Sequence, residues 1–160
     1  MSSPQVDSPF LAACRAEPHH WTPVWFMRQA GRSLPEYRAV RGTGSILDAI
    51  ADADLSAEIT LQPVRRYGVD AAILYSDIVV PAHAVGFGVE VHPGIGPVVD
   101  RPFEKAADLQ RLRPLEPEED TPYVLETVRQ VGAQGSVPLI CLAGAPFAVP
   151  ASPTRRAPLD

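Results

Sequence analysis

Two arginines stand four residues apart in the stretch TPVWFMRQAGRSLPEYR, Arg28 and Arg32, with Gly31 just before the second. An arginine fork makes two parallel charge-assisted hydrogen bonds to a carboxylate and does not lose its proton at physiological pH. Gly31 lets the backbone come close to a ligand, and the free amides of a helix starting near Ser33 add to the pull on an anion. Taken in isolation an R-x-x-x-R pair is more often ordinary surface charge. Its predicted position changes that reading, because the C-terminal ends of parallel strands are where α/β proteins place ligands. Asp77 holds the corresponding position after a second apolar run, AAILY (71–75). A carboxylate there can accept hydrogen bonds from ligand N–H groups or stabilise developing positive charge. A single aspartate in such a place is more often a helix cap or a loop acid. The convergence of two arginines and one acid on one predicted face favours a binding site.

The remaining polar candidates are weaker. His19, His20, His83 and His92 share no metal-ligand spacing and read as structural or exposed. The pairs Gly86/Gly88 and Gly94/Gly96 lack the third glycine and the strand-to-helix setting of a dinucleotide loop, so they read as turn glycines. Arg65 and Arg66 fit the end of a helix, where positive charge suits the macrodipole.

These positions depend on the elements around them. Ser8-Pro9 predicts a helix start and a short helix over 9–17. Val24–Met27 is a continuous apolar run, as expected of a strand buried on both faces. A helix is expected over 34–41, with Gly42 free to take the left-handed cap position. Another is expected over 54–67, kinked or bounded at Pro63. Ala71–Tyr75 predicts a second buried strand with a parallel partner, and residues 86–99 a small hairpin. Helical stretches near 104–112 and 121–133 precede a third strand, 137–142, closed by a loop over 143–146. Strands alternating with helices imply crossovers, a parallel sheet and an α/β class. Three β/α units are visible, whereas a (β/α)₈ barrel takes about 250 residues.

A length of 160 residues suits one domain, and 46% apolar with 21% charged residues suits a globular chain rather than a disordered one. With net charge −5, a general nucleic-acid or anionic-membrane surface is not expected, so any anion site must be local. Cys14 and Cys141 form no metal-ligand motif, the start has no secretory signal pattern, and no apolar run is long enough to span a membrane. A cytoplasmic protein is the expectation. The last thirteen residues, AVPASPTRRAPLD, have no helical or alternating period and read as a disordered tail.

The segments PVWFMRQAGRSLPEYRAVR, LQPVRRYGVDAAILYSDIVVPAHAVGFGVEVHPGIGPVV and VPLICLAGAPF together resemble the N-terminal part of the uroporphyrinogen decarboxylase family, over residues 8–147. The resemblance implies a cofactor-free carboxy-lyase of tetrapyrrole synthesis, built as a (β/α)₈ TIM barrel and homodimeric, of which this sequence would supply roughly the first three β/α units. Such enzymes remove carbon dioxide from the four acetate arms of uroporphyrinogen to give coproporphyrinogen, and an eight-carboxylate substrate accounts for arginines in an acidic chain. By resemblance Arg28, Gln29, Ala30, Gly31 and Arg32 form the substrate-binding segment, Arg41 is a further carboxylate ligand, Asp77 meets the central pyrrole N–H groups, and Arg28 is the favoured proton donor. A guanidinium with a pKa above about 12 is, however, a poor acid near neutrality.

The family also has a tyrosine five residues past Phe147, where Ser152 stands here, and a later serine and C-terminal histidine for which this sequence has no counterpart. The expectation is a truncated or frameshifted product, inactive alone, with residues 148–160 foreign to the family. A non-catalytic tetrapyrrole- or carboxylate-binding fragment is the alternative. A related barrel methyltransferase ranks below both, since its His/Cys zinc-ligand set is not visible.

Overall fold

Asp52 ends one helix and begins the next, and the pair it joins forms the spine of the structure. In the computed structural model, which describes residues 8–27, 32–92, 95–100, 102 and 105–144, α1 is Pro9–Cys14, α2 Pro35–Arg41, α3 Ile46–Ala51 and α4 Ala53–Tyr67. Ser45 caps α3 by accepting from Leu47 N–H at 3.1 Å, and Asp52 caps α4 by accepting from Leu55 N–H at 3.0 Å. The orphan carbonyls at the end of α3 are answered by a buried hydroxyl: Ser56 Oγ donates to Ala49 O at 3.0 Å and sits 3.3 Å from Ile50 O. Thr60, one turn on, donates to Ser56 O at 2.7 Å and accepts from Tyr75 N–H at 2.9 Å. The buried face of α4 thus fixes both a helix before it and the chain leaving the strand after it.

That strand is β1, Ala72–Ile73, and its parallel partner is β4, Leu139–Ile140, in the register Ala72↔Leu139 and Ile73↔Ile140. The crossover between them carries α5 (Val80–Ala84), the antiparallel hairpin β2 (Val89–His92) and β3 (Gly96–Val99), a 3₁₀ turn over Ala106–Arg111, α6 (Pro117–Asp120) and α7 (Pro122–Gln134). α7 lies against α4, with Val131 packed on Ala57 and Leu61 and Leu139 covering them. It ends at Gly135, where an added Cβ would lie 2.7 Å from Val131 O. The larger core joins Leu47 and Ile50 of α3, Ile59 of α4, Tyr75, Val79 and Val80 beyond β1, and Phe87, Val89 and Val99 of the hairpin.

The α/β class, the parallel pairing of the 71–75 run, the hairpin and the long helices follow the sequence expectations. Several details differ: the expected strand over 137–142 pairs only at Leu139–Ile140, and the helical stretch expected near 104–112 is a 3₁₀ turn over Ala106–Arg111. Val24–Met27 does not form a strand buried on both faces: its four side chains are between 42% and 64% exposed. One backbone bond, Asp70 N–H to Val24 O at 2.8 Å, holds it beside β1, and Asp70 secures it further by accepting from Val24 N–H and Trp21 Nε1. Among the described residues nothing supplies the two layers that would bury the run. Of the two outcomes expected at Pro63, a kink or a boundary, the boundary is not found: α4 continues through it to Tyr67, held by its packing on α2, α3 and α7. α1 stops at Cys14, three residues short of the expected end, and Ser8 makes no side-chain cap bond. α3 is a helix the sequence did not announce. Gly42 does follow the last residue of α2 with a positive φ of 61°, but its ψ of −158° is extended, so it does not take the left-handed helical cap conformation expected of it. Residues 145–160, including the expected tail, lie outside the described residues.

Candidate functional site

The chain leaving β1 runs through Leu74, Tyr75 and Ser76, all buried, before it surfaces at Asp77. Asp77 starts a turn: its Oδ1 accepts from Val79 N–H at 3.1 Å and its carbonyl from Val80 N–H at 3.2 Å, which launches α5. The helix-cap role considered for a lone aspartate is not the one found: Val79 is the N-cap of α5 and no side chain caps it, while Asp77 closes the turn just before it with one carboxylate oxygen.

Arg41 arrives from the last turn of α2. Its Nε donates to Tyr75 Oη at 3.0 Å and its Nη2 to Gly44 O at 3.0 Å. Tyr75 is 1% exposed, and burial, followed by a hydrogen bond with Tyr37, pushes its phenol up to about 12, against the opposing pull of Arg41. The phenol is neutral at any physiological pH. The rings of Tyr37 and Tyr75 meet edge to face, 6.3 Å apart at 63°. Arg32 stands exposed in a 3₁₀ turn just before α2, with no ion-pair partner among the described residues.

Arg32, Arg41 and Asp77 line one open cleft of about 520 Å³, together with Tyr37, His92 and the hairpin residues Ile95–Pro97. A second cavity of about 410 Å³ shares Asp77 and Pro97 with it and is walled by Trp25, Met27, Ile73, Ile140 and Leu142. An apolar hollow thus adjoins a cationic rim, with a carboxylate on the wall common to both. Such an arrangement can take a ligand with an apolar body, carboxylates at its edge and N–H donors facing the aspartate.

Of the residues singled out in the sequence, Arg32, Arg41 and Asp77 are brought to one place. Arg28, Gln29, Ala30 and Gly31 lie outside the described residues. Sequence reasoning missed Tyr75 and Tyr37, whose link to Arg41 is visible only after folding, and His92, which the hairpin carries to the rim. It also gave Trp25 and Met27 to a buried strand when they line the hollow. Among the described residues no group of three or more His, Cys, Asp or Glu side chains could hold a metal ion, and no helix is long and apolar enough to cross a membrane.

Comparison with known proteins adds a family. The family described as uroporphyrinogen decarboxylase (URO-D) matches residues 5–154. The chain is similar to the uroporphyrinogen decarboxylase of Salinispora tropica, 59% identical over 143 residues, which are 89% of this chain and 38% of that protein. It is 58% identical to that of Streptomyces griseus and 57% identical to that of Thermobifida fusca, each over 88% of this chain and 39% of the relative. The chain therefore spans about two fifths of the length of the curated relatives it matches. In fold it resembles a methyltransferase from Methanosarcina mazei, with a TM-score of 0.63 and 20% identity, over 94% of this chain and 45% of that one.

Proposed function

Because the chain belongs to the uroporphyrinogen decarboxylase family, we propose that it carries the arginine and aspartate side of a site that removes carbon dioxide from the four acetate arms of uroporphyrinogen III, giving coproporphyrinogen III. The observation that supports this reading best is the meeting of the cationic cleft and the apolar hollow at Asp77. A tetrapyrrole has the matching form: an apolar macrocycle, carboxylates around its edge and pyrrole N–H groups at its centre.

Loss of carbon dioxide from an acetate arm leaves an electron pair that must be accommodated. Protonation of the adjoining pyrrole carbon makes the ring a cation that accepts those electrons as the C–C bond breaks, leaving an exocyclic methylene; a proton added to that methylene gives the methyl group, and loss of the proton from the ring carbon restores the pyrrole. Asp77, fixed in place by the turn it caps, is suited to stabilise that cation through hydrogen bonds from pyrrole N–H. Arg32 and Arg41 hold carboxylates that do not react, converting their binding energy into position. Arg28 belongs with them as a carboxylate ligand and as the family's favoured proton donor, and Gln29, Ala30 and Gly31 with the same substrate segment. Residues 8–147 form the barrel part of this reading, the first three β/α units of a (β/α)₈ TIM barrel, while the family match itself runs on to residue 154. No cofactor is required, the setting is cytoplasmic, and the assembled enzyme is a homodimer.

Binding is the activity expected of these 160 residues by themselves, and turnover that of the relatives' full length. This second reading, a binding fragment without catalysis, is favoured by the two-fifths share of the relatives' length. Both are tested by incubating the full chain with uroporphyrinogen III under reducing conditions and separating the oxidised products. Saturable binding without loss of acetate carboxyls supports the fragment reading, and coproporphyrin formation at a rate proportional to protein supports a complete catalyst. Absence of both binding and turnover overturns the assignment of the cleft.

A further inference from the structure

Arg41 has five N–H donors, and the fold uses two of them: Nε goes to the Tyr75 phenol and Nη2 to the Gly44 carbonyl, each at 3.0 Å. Among the described residues no partner takes the two Nη1 donors or the second Nη2 donor, and these form the end of the fork that suits a bidentate carboxylate. No carboxylate among the described residues pairs with it. The bond from Tyr75 comes from inside the core. The ring is 1% exposed, its backbone N–H is tied to Thr60 Oγ1 at 2.9 Å, and its edge packs against Tyr37, which itself lines the cleft.

A charged side chain on a surface helix would otherwise sample many rotamers, and fixing it on binding costs free energy. Here a buried, rigid acceptor meets the one guanidinium nitrogen that a bidentate end-on contact does not need. From this we infer that Tyr75 is a positioning residue: its phenol orients Arg41 so that the free end of the guanidinium faces the cleft as a ready-made carboxylate clamp. The inference rests on the proposed reading of the cleft as a polycarboxylate site and adds the buried support that the site needs. Tyr75 itself touches no ligand in this scheme. Its influence should pass entirely through Arg41.

The test is a double-mutant cycle on the full chain with uroporphyrin III as the octacarboxylate probe, followed by quenching of tryptophan fluorescence, since Trp25 lines the adjoining hollow. Tyr75→Phe should weaken binding about three- to tenfold and Arg41→Ala about tenfold or more, while the double variant should match Arg41→Ala within about twofold. In an Arg41→Lys background, where no planar fork exists to be oriented, Tyr75→Phe should have no effect. A general loss of packing would weaken binding in every background, so that comparison separates orientation from structure. Thermal melts identify any variant that fails to fold. Should Tyr75→Phe be such a variant, Tyr37→Phe, which removes the phenol's other partner, should weaken binding in the Arg41 chain and not in the Arg41→Lys chain. Additive losses, or no loss for either phenol, overturn the role of Tyr75 and leave the polycarboxylate reading standing. Failure of the unsubstituted chain to bind uroporphyrin III overturns both.

Discussion

Asp77 commits one carboxylate oxygen to the turn before α5, and in the proposed reading the other is left for the ligand, so two substitutions at that position should separate structure from binding. Asp77→Asn keeps an acceptor for Val79 N–H and removes the charge; Asp77→Ala removes both. Urea denaturation should show the alanine variant destabilised by about 1 kcal/mol and the asparagine variant near the unsubstituted chain, because the acceptor of the turn bond to Val79 N–H is the difference between them. Both should lose any preference for a porphyrin with central N–H groups over its metallated form, in which those donors are gone. Arg32, exposed and unpaired among the described residues, serves as the complementary case. Arg32→Ala should leave stability within about 0.5 kcal/mol and weaken uroporphyrin binding about tenfold, since its side chain makes no ion pair among the described residues and the variant loses one charge-assisted pair to the ligand. Arg32 and Asp77 were legible as candidates from residue type and predicted position, and Arg41 only through the resemblance to the family. Tyr75 was not: nothing in the sequence shows that a phenol in an apolar run meets a guanidinium from 34 residues earlier, because burial and a helix crossing bring them together.

The elements that were legible carry their own boundary signals. Asp52 and Gly68 mark the two ends of α4, Thr121-Pro122 marks the start of α7, and the glycines near 94–96 mark the hairpin. α3 was missed because a helix of six residues has too few turns to show a period; it persists by burying Leu47 and Ile50 and by the Ser56 bond to its last carbonyls. Ser56→Ala should therefore cost about 1–3 kcal/mol in denaturant unfolding, a large effect for the loss of one oxygen, because buried carbonyls are left unanswered. The join of α6 and α7 offers a pH test. Arg113 holds Asp120 by two bonds of 2.7 and 2.8 Å, and with the N–H of Glu116 it keeps that carboxyl down at about 2. An unfolded aspartate titrates at about 3.9, so the stabilisation is complete above that value and disappears as pH falls towards 2. Melting temperatures between pH 4 and 2 should fall more steeply for the unsubstituted chain than for Asp120→Asn, and added salt should narrow the difference.

At the scale of the whole molecule, a net charge of −5 surrounds a cleft lined by two arginines. Salt should act on binding in two ways. The long-range repulsion between an acidic chain and a polycarboxylate is screened, which holds or raises the association rate, while the arginine contacts weaken and dissociation quickens. Stopped-flow measurements between 50 and 500 mM salt should place most of the affinity loss in dissociation; a collapse of the association rate would point to steering by a larger basic surface. The apolar residues Trp25, Phe26, Met27 and Leu142, each more than 40% exposed, make a second whole-molecule feature. Sedimentation of the isolated chain should show association that rises with concentration and is reduced by Met27→Lys.

The parallel pairing of β1 with β4 has a consequence for when the structure can exist. Residue 72 finds its strand partner at residue 139, and everything between them forms the excursion that must be closed first. Local pieces, α3 with α4 and the hairpin, can form as the chain leaves the ribosome. The sheet edge behind the candidate site cannot, because its second strand is among the last described residues to be synthesised. Until then the floor beneath Asp77 is incomplete. A nascent chain stalled before residue 139 should be open to proteolysis near β1, and protection should appear once β4 has cleared the exit tunnel.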